Sequence, residues 1–209
     1  MTATGIRLVI FDMDGTLADS FPWFVRVMGS VAERFDVRRI EPDDVEELRR
    51  LDSRGLLQWL GVPRWKLPLI ARHMRALKAQ HIGDIRLFPG VGRMLRDLTG
   101  RGIAIAIVSS DSEANVRQTL GPENAQLVGF YACGASLFGK HAKFKKVLRK
   151  FAIGAAEAIT IGDEVRDAEA AARAGIAFAA VTWGYAHIDG LRAANPALIL
   201  SSMDEIARI

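Results

Sequence analysis

Leu8-Val9-Ile10-Phe11 is an unbroken apolar run that stops abruptly at Asp12-Met13-Asp14-Gly15-Thr16. A strand with no polar alternation has no solvent-facing side, so it belongs inside a layered structure covered on both faces. Two carboxylates two residues apart at the end of such a strand repel each other and lose hydration. A fold that keeps them needs a compensating cation, and Mg²⁺, which prefers hard oxygen ligands, fits that need. Gly15 then permits a sharp turn that exposes backbone N–H groups.

Short continuous runs of the same kind recur at 103–108, 158–161 and 177–182, with a weaker strand at 127–132 and an edge strand at 197–200. Helical patterns separate them. One covers 91–99 and stops at Gly100 and Gly102. A second covers 112–120, opened by a capping box of the form Ser110-x-x-Glu113. A basic amphipathic helix follows at 142–151, and an Ala-rich one at 168–174 ends at Gly175. This alternation predicts an α/β fold, a Rossmann-like parallel sheet with helices on both faces and sites beyond the carboxyl ends of the strands.

One stretch breaks the rhythm. Residues 21–86 hold no convincing strand but four helical patterns, at 23–35, 42–51, 53–60 and 66–81. Phe24, Val27, Met28 and Val31 form one apolar stripe at helix spacing. The expectation is an inserted all-α helical bundle on the active edge of the sheet, with 1–20 and 87–209 forming the core domain. Trp23, Phe24, Trp59 and Trp65 are expected to pack that bundle.

The 209 residues suffice for one sizeable core with an insertion, and a net charge of +4 is mild. No Lys/Arg run interleaved with aromatics points to nucleic acid, and no apolar run reaches membrane-spanning length. Cys133 is the only cysteine, which fits a reducing compartment and a cytoplasmic protein. Its apolar neighbours mark it as a small hydrophobe rather than a nucleophile. The four histidines lack metal-ligand spacing.

The candidate chemistry is phosphoryl transfer from a small-molecule substrate. Asp12 can attack phosphorus to give an aspartyl-phosphate that water hydrolyses, with Asp14 as general acid and base. Backbone N–H groups at Gly15 and Thr16 would orient the phosphate. Ser109, ending the run at 103–108, can donate to a phosphate oxygen, as can the N–H of Ser110. Lys140, in Phe138-Gly139-Lys140, can neutralise both phosphate and carboxylates, with Lys143 as its competitor. Asp163, in Gly162-Asp163-Glu164, sits at a strand end like Asp12 and can complete a Mg²⁺ site. Asp167 lies one helical turn later and can assist through Lys140 or water, and Glu164 is an outer ligand candidate. Arg54, near a turn of the insertion, is a candidate for contact with an anionic substrate.

These elements together resemble the haloacid dehalogenase superfamily over nearly the whole chain. Asp12-Met13-Asp14-Gly15-Thr16 matches its first motif, Ser109 the second, Lys140 the third, and Gly162-Asp163 with Asp167 the fourth. The resemblance implies a Mg²⁺ site formed by the carboxylates of Asp12 and Asp163 and the backbone carbonyl of Asp14. It also implies that the insertion is a helical cap. Phe88-Pro89-Gly90-Val91 and Val181-Thr182-Trp183-Gly184-Tyr185 are similar to the phosphoglycolate phosphatase-like branch. Asp14 favours phosphoryl transfer over dehalogenation, since halide departure needs no proton. A phosphomutase, a phosphonate-cleaving enzyme or a non-catalytic phosphate-binding regulator are the alternatives. The physiological substrate and the oligomeric state are left open.

Overall fold

The computed structural model describes residues 5–134 and 139–209. In chain order its regular elements are β1 (Leu8–Phe11), β2 (Ala18–Asp19), α1 (Phe21–Phe35), α2 (Val45–Leu48), α3 (Ser53–Trp59), α4 (Leu67–Gln80), β3 (Arg86–Leu87), α5 (Val91–Gly100), β4 (Ala104–Val108), α6 (Glu113–Ala125), β5 (Phe130–Ala132), α7 (Lys140–Phe151), β6 (Ala158–Gly162), α8 (Val165–Ala174), β7 (Ala177–Val181), α9 (Ile188–Ala193), β8 (Leu198–Leu200) and α10 (Met203–Ile206). Six strands form one parallel sheet in the order β5-β4-β1-β6-β7-β8, with β1 in the interior.

Alternate residues of the central strands feed two separate cores, which is why these runs show no polar alternation. Val9 and Phe11, with Ile105, Ile107, Ile159 and Ile161, pack against Leu95 and Leu98 of α5 and Val116 and Leu120 of α6. Leu8 and Ile10, with Ala106 and Val108, face Phe144 and Val147 of α7, Ala168 and Ala171 of α8, and Leu191 of α9. All four residues of β1 are buried. A third cluster, Met28, Val31 and Leu60 with Trp59, Ile70 and Met74 at its border, holds the inserted helices together.

Several sequence expectations need correction. A two-stranded antiparallel ribbon pairs β2 with β3 at the two chain crossings into the inserted helices. Strands of two residues carry no periodicity, so the pattern missed them. The helix expected at 42–51 divides into a 3₁₀ turn, Pro42–Asp44, and the single turn of α2. The expected Ser110 capping box does not form. The N-cap of α6 is Ser112, whose hydroxyl accepts from the Asn115 N–H, and Ser110 lies ahead of the helix. Helical backbone geometry in α6 breaks at Gly121 (φ 74°) before Pro122. α7 begins at Lys140 itself rather than two residues later. Phe138, which precedes it in sequence, lies outside the described residues.

The four aromatics expected to fill the bundle separate. Trp59 borders the third cluster with the Arg38 guanidinium 3.8 Å from its ring centroid. Trp23 is buried against the α5–α6 face of the sheet instead, and Phe24 touches both clusters. Trp65 is 68% exposed on a short 3₁₀ turn and packs no core. Cys133 is half-buried beside the first core, and burial pushes its thiol up to about 11. Among the described residues no helix is long and apolar enough to cross a membrane.

Leu98 is fully buried on α5. Leu98→Ala is expected to lower the unfolding free energy by about 2–5 kcal/mol through lost burial and a residual cavity. Urea denaturation checks this; an unchanged midpoint would show that α5 does not hold the sheet.

Candidate active site

The site lies where β1, β4 and β6 end side by side. Phe11 is in register with Ile107 on one side and Ile161 on the other, so Asp12, Ser109 and Asp163 emerge from neighbouring strand ends. The Asp12 N–H still donates to the Ile161 carbonyl at 2.9 Å, which anchors the nucleophile candidate to the sheet rather than to a loop. The chain then turns tightly. The Gly15 N–H, expected to orient a phosphate, instead donates to the Ala18 carbonyl and closes the turn, and the N–H groups of Leu17 and Ala18 both donate to the Met13 carbonyl. Gly15 has φ +77°, and a Cβ there would stand 2.2 Å from Asp163 Oδ2. The same crowding rules out side chains at Gly184, whose Cβ would lie 2.1 Å from that of Asp163, and at Gly162, which abuts Asp167.

Asp12, Asp163 and Asp167 are all buried, and each places a carboxylate oxygen within 4.8 Å of the other two. Lys140 Nζ lies 2.9 Å from Asp12 Oδ2 and 2.5 Å from Asp167 Oδ1. Burial would drive the Lys140 charge off, but Asp12 and Asp167 hold its pKa above the usual lysine value. Lys143 instead donates to the carbonyls of Ser109 (2.6 Å) and Gly134 (2.7 Å), tying the ends of β4 and β5 together. Geometry thus separates the two competing lysines.

Asp163 accepts from the Thr16 hydroxyl at 2.7 Å and from the Tyr185 N–H at 2.8 Å. Burial, then the charges of Glu164, Asp12 and Asp167, push its carboxyl well above the ordinary carboxylate range. Burial likewise raises Asp12, against the pull of Lys140. Lys140 and Arg166 set two positive charges against the four carboxylates of Asp12, Asp163, Glu164 and Asp167, so negative charge stays unneutralised, and the donors are all hard oxygens. This set fits a divalent cation of the Mg²⁺ kind. Asp14 stands outside this trio: its carboxylate joins Lys78 at 2.5 Å.

Other expected residues are placed as follows. Ser109 is buried and its Oγ accepts from the Asp111 N–H at 3.0 Å. Ser110 lies between them in the loop before α6. The Glu164 carboxylate accepts from Ser53 at 2.7 Å and pairs with Arg166, so it joins the inserted helices to the core. Arg54 lines a cavity with Asp52, Lys140, Arg166, Glu169 and Arg173.

The sequence reading missed four participants. Lys78 and Asp111 form a buried ion pair at 2.9 Å. Arg166 sits beside the carboxylate cluster, its charge held by Glu164, Asp167, Asp12 and Asp163. Tyr185 supplies the N–H to Asp163, hydrogen bonds through its hydroxyl to Ser20 at 2.9 Å, and packs edge-on against Phe21. A signal for Lys78 exists: it falls four residues after Met74 and eight after Ile70, on the apolar face of its helix.

If the carboxylates hold a divalent ion, Mg²⁺ should raise the melting temperature by mass action, worth about 2.7 kcal/mol at 100 times the dissociation constant. Asp163→Asn should abolish that rise. Differential scanning calorimetry with and without MgCl₂ checks this, and an equal rise in both proteins would remove Asp163 from the ion site.

Residues 9–181 match the family model for haloacid dehalogenase-like hydrolases. A phosphoglycolate phosphatase of Synechococcus elongatus is 29% identical over 202 residues, covering 96% of this chain and 95% of its own. A phosphoglycolate phosphatase of Vibrio parahaemolyticus is 23% identical over 227 residues, covering 100% and 98%. The solved structure of a predicted phosphatase from Clostridium acetobutylicum superposes with a TM-score of 0.82 at 21% identity, covering 97% of each chain. The chain belongs to the haloacid dehalogenase-like hydrolase family.

Proposed function

We propose that this family member is a Mg²⁺-dependent phosphatase that hydrolyses a small phosphomonoester through a phosphorylated Asp12. The carrying observation is the position of Asp12, a buried carboxylate fixed to the sheet, 2.9 Å from Lys140 and within 4.8 Å reach of Asp163 and Asp167. In this reading Asp12, Asp163 and the Asp14 carbonyl hold the ion, which when bound offsets charge on the transferring phosphoryl group. Residues 21–86 act as a cap over a core made of 1–20 and 87–209, shedding bulk water from the reaction.

The residues divide the work in two steps. An Asp12 oxygen forms a bond to phosphorus as the bond to the leaving oxygen breaks, and Asp14 gives that oxygen its proton. A water oxygen then bonds to phosphorus, Asp14 takes the water's proton, and the Asp12–phosphorus bond breaks to release inorganic phosphate. Lys140 neutralises charge on Asp12 and the phosphoryl oxygens. Ser109 and the N–H groups at Thr16 and Ser110 orient those oxygens, so catalysis is mainly positioning and electrostatic stabilisation. Asp167 holds Lys140 in place.

The named relatives and the carboxylate set together favour phosphoglycolate or a similar small anionic ester as substrate. The cavity lined by Arg54, Arg166 and Arg173 beside Lys140, with Asp52 and Glu169 also on its wall, offers cationic contacts for such an ester.

Asp12→Asn should reduce phosphate release by at least about 1,000-fold with the fold retained. A malachite-green assay with Mg²⁺ and circular dichroism check both halves, and near-normal turnover would contradict the assignment. Arg54→Ala should raise KM for phosphoglycolate more than for a neutral-tailed ester. An unchanged ratio of the two KM values would take Arg54 out of substrate recognition.

A further inference from the structure

We propose that Lys78 is a positioning residue for Asp14: α4 delivers its ammonium between Asp14 and Asp111 and thereby fixes the Asp14 carboxylate for proton transfer to the leaving oxygen. The proposal rests on the phosphatase reading and adds to it a residue of the inserted helices and a second aspartate.

Lys78 Nζ lies 2.5 Å from Asp14 Oδ1 and 2.9 Å from Asp111 Oδ2, with its side chain only 5% exposed. Lysine is almost never fully buried unless paired, because an unpaired ammonium loses its hydration without return. Here two carboxylates share it: against the effect of burial, its charge holds the Asp14 carboxyl below the usual carboxylate range, and Asp111 still balances it when Asp14 carries the proton to be delivered. The three residues come from three places: Asp14 follows β1, Asp111 follows β4, and Lys78 is in the last turn of α4, 64 residues from Asp14. Only the seating of the inserted helices on the sheet brings them together.

Asp111 is itself held on several sides. Its Oδ1 accepts from the Ser112 N–H at 2.7 Å and from Asn115 Nδ2 at 2.8 Å. The same Asn115 amide donates to the Arg75 carbonyl at 3.0 Å, one turn before Lys78 on α4. The Asp111 N–H donates to Ser109 Oγ. A single aspartate therefore orients the serine proposed to contact phosphate and the lysine that grips Asp14. With its backbone fastened to α6 through Asn115 and its Lys78 side chain fastened to Asp111, α4 sets the Asp14 carboxylate direction instead of leaving it to a solvated rotamer. A general acid is effective only within hydrogen-bond reach of its target, so a mis-aimed Asp14 loses most of its contribution.

The consequence is a dependence on the leaving group. Forming the phosphorylated Asp12 from an alkyl phosphate needs a proton on the departing oxygen, whereas a nitrophenolate departs without one. Because kcat/KM reports the steps up to that intermediate, the two esters separate proton delivery from the rest of the site.

The test measures kcat/KM with Mg²⁺ for 2-phosphoglycolate and for 4-nitrophenyl phosphate in wild type, Lys78→Met, Lys78→Arg and Asp111→Asn. The expected result for Lys78→Met is a loss of about 100-fold or more on the alkyl ester, in the range general acid catalysis supplies. On the aryl ester the loss should stay below about tenfold. Lys78→Arg should recover part of the alkyl activity, and Asp111→Asn should show the same imbalance in weaker form. Equal losses on both esters in the folded variants, or no loss on either, would overturn the proposal. Should Lys78→Met fail to fold, the Asp111→Asn ratio decides alone. Wild-type turnover of neither ester would overturn the phosphatase reading and this proposal with it, which separates the two failures.

Discussion

Like charge forced into a dry place is the constraint from which the rest of the structure follows. Asp12, Asp163 and Asp167 are buried with carboxylate oxygens mutually within 4.8 Å, and the Lys140 ammonium pairs with only two of them. Such crowding is unfavourable unless cations and hydrogen-bond donors surround it. The surrounding architecture meets that demand residue by residue. Lys140 opens α7 and reaches two of the three carboxylates, while Thr16 and the Tyr185 N–H satisfy Asp163. Gly15, Gly162 and Gly184 stand where any Cβ would collide with the acids. The parallel sheet supplies the rigidity, since the donors and acids leave from adjacent strand ends held by continuous backbone pairing.

The inserted helices are joined to this centre by polar groups as well as by burial of Trp23 and Val27 in the sheet core. Lys78 meets Asp14 and Asp111, Ser53 donates to Glu164, and Arg49 donates to the carbonyls of Gly184 (2.9 Å) and Tyr185 (3.1 Å). Each of these joints ends on a residue that is next to, or hydrogen-bonded to, a group of the acidic site. The third apolar cluster lies among the inserted helices and meets the sheet core through Phe24, Met74 and Leu77.

Much of this was legible in the sequence because the signals were unambiguous in kind. Strands covered on both faces lose polar alternation, so β1, β4, β6 and β7 stood out as continuous runs. Aspartates at the ends of two of them marked the site. What escaped detection depends on tertiary contact. The two-residue strands β2 and β3 exist only as partners of each other. The competition between Lys140 and Lys143 is decided by which one faces Asp12 across a loop, and spacing alone does not encode that. Lys78 reads as one more basic residue on a helix with Arg72 and Arg75 until its place on the apolar stripe is noticed. Trp65 shows the converse error: an aromatic in a helical pattern suggests burial, yet its 3₁₀ turn leaves the ring outward.

The central claim is that Asp12 becomes covalently phosphorylated. Rapid acid quench of the Mg²⁺-loaded enzyme during turnover of 4-nitrophenyl phosphate, followed by peptide mass spectrometry, tests it directly. The account predicts an acid-stable, hydroxylamine-labile phosphate on the peptide containing Asp12. Phosphate found on another residue, or rapid turnover with no phosphorylated peptide under conditions that trap aspartyl-phosphates in a control enzyme, would contradict it.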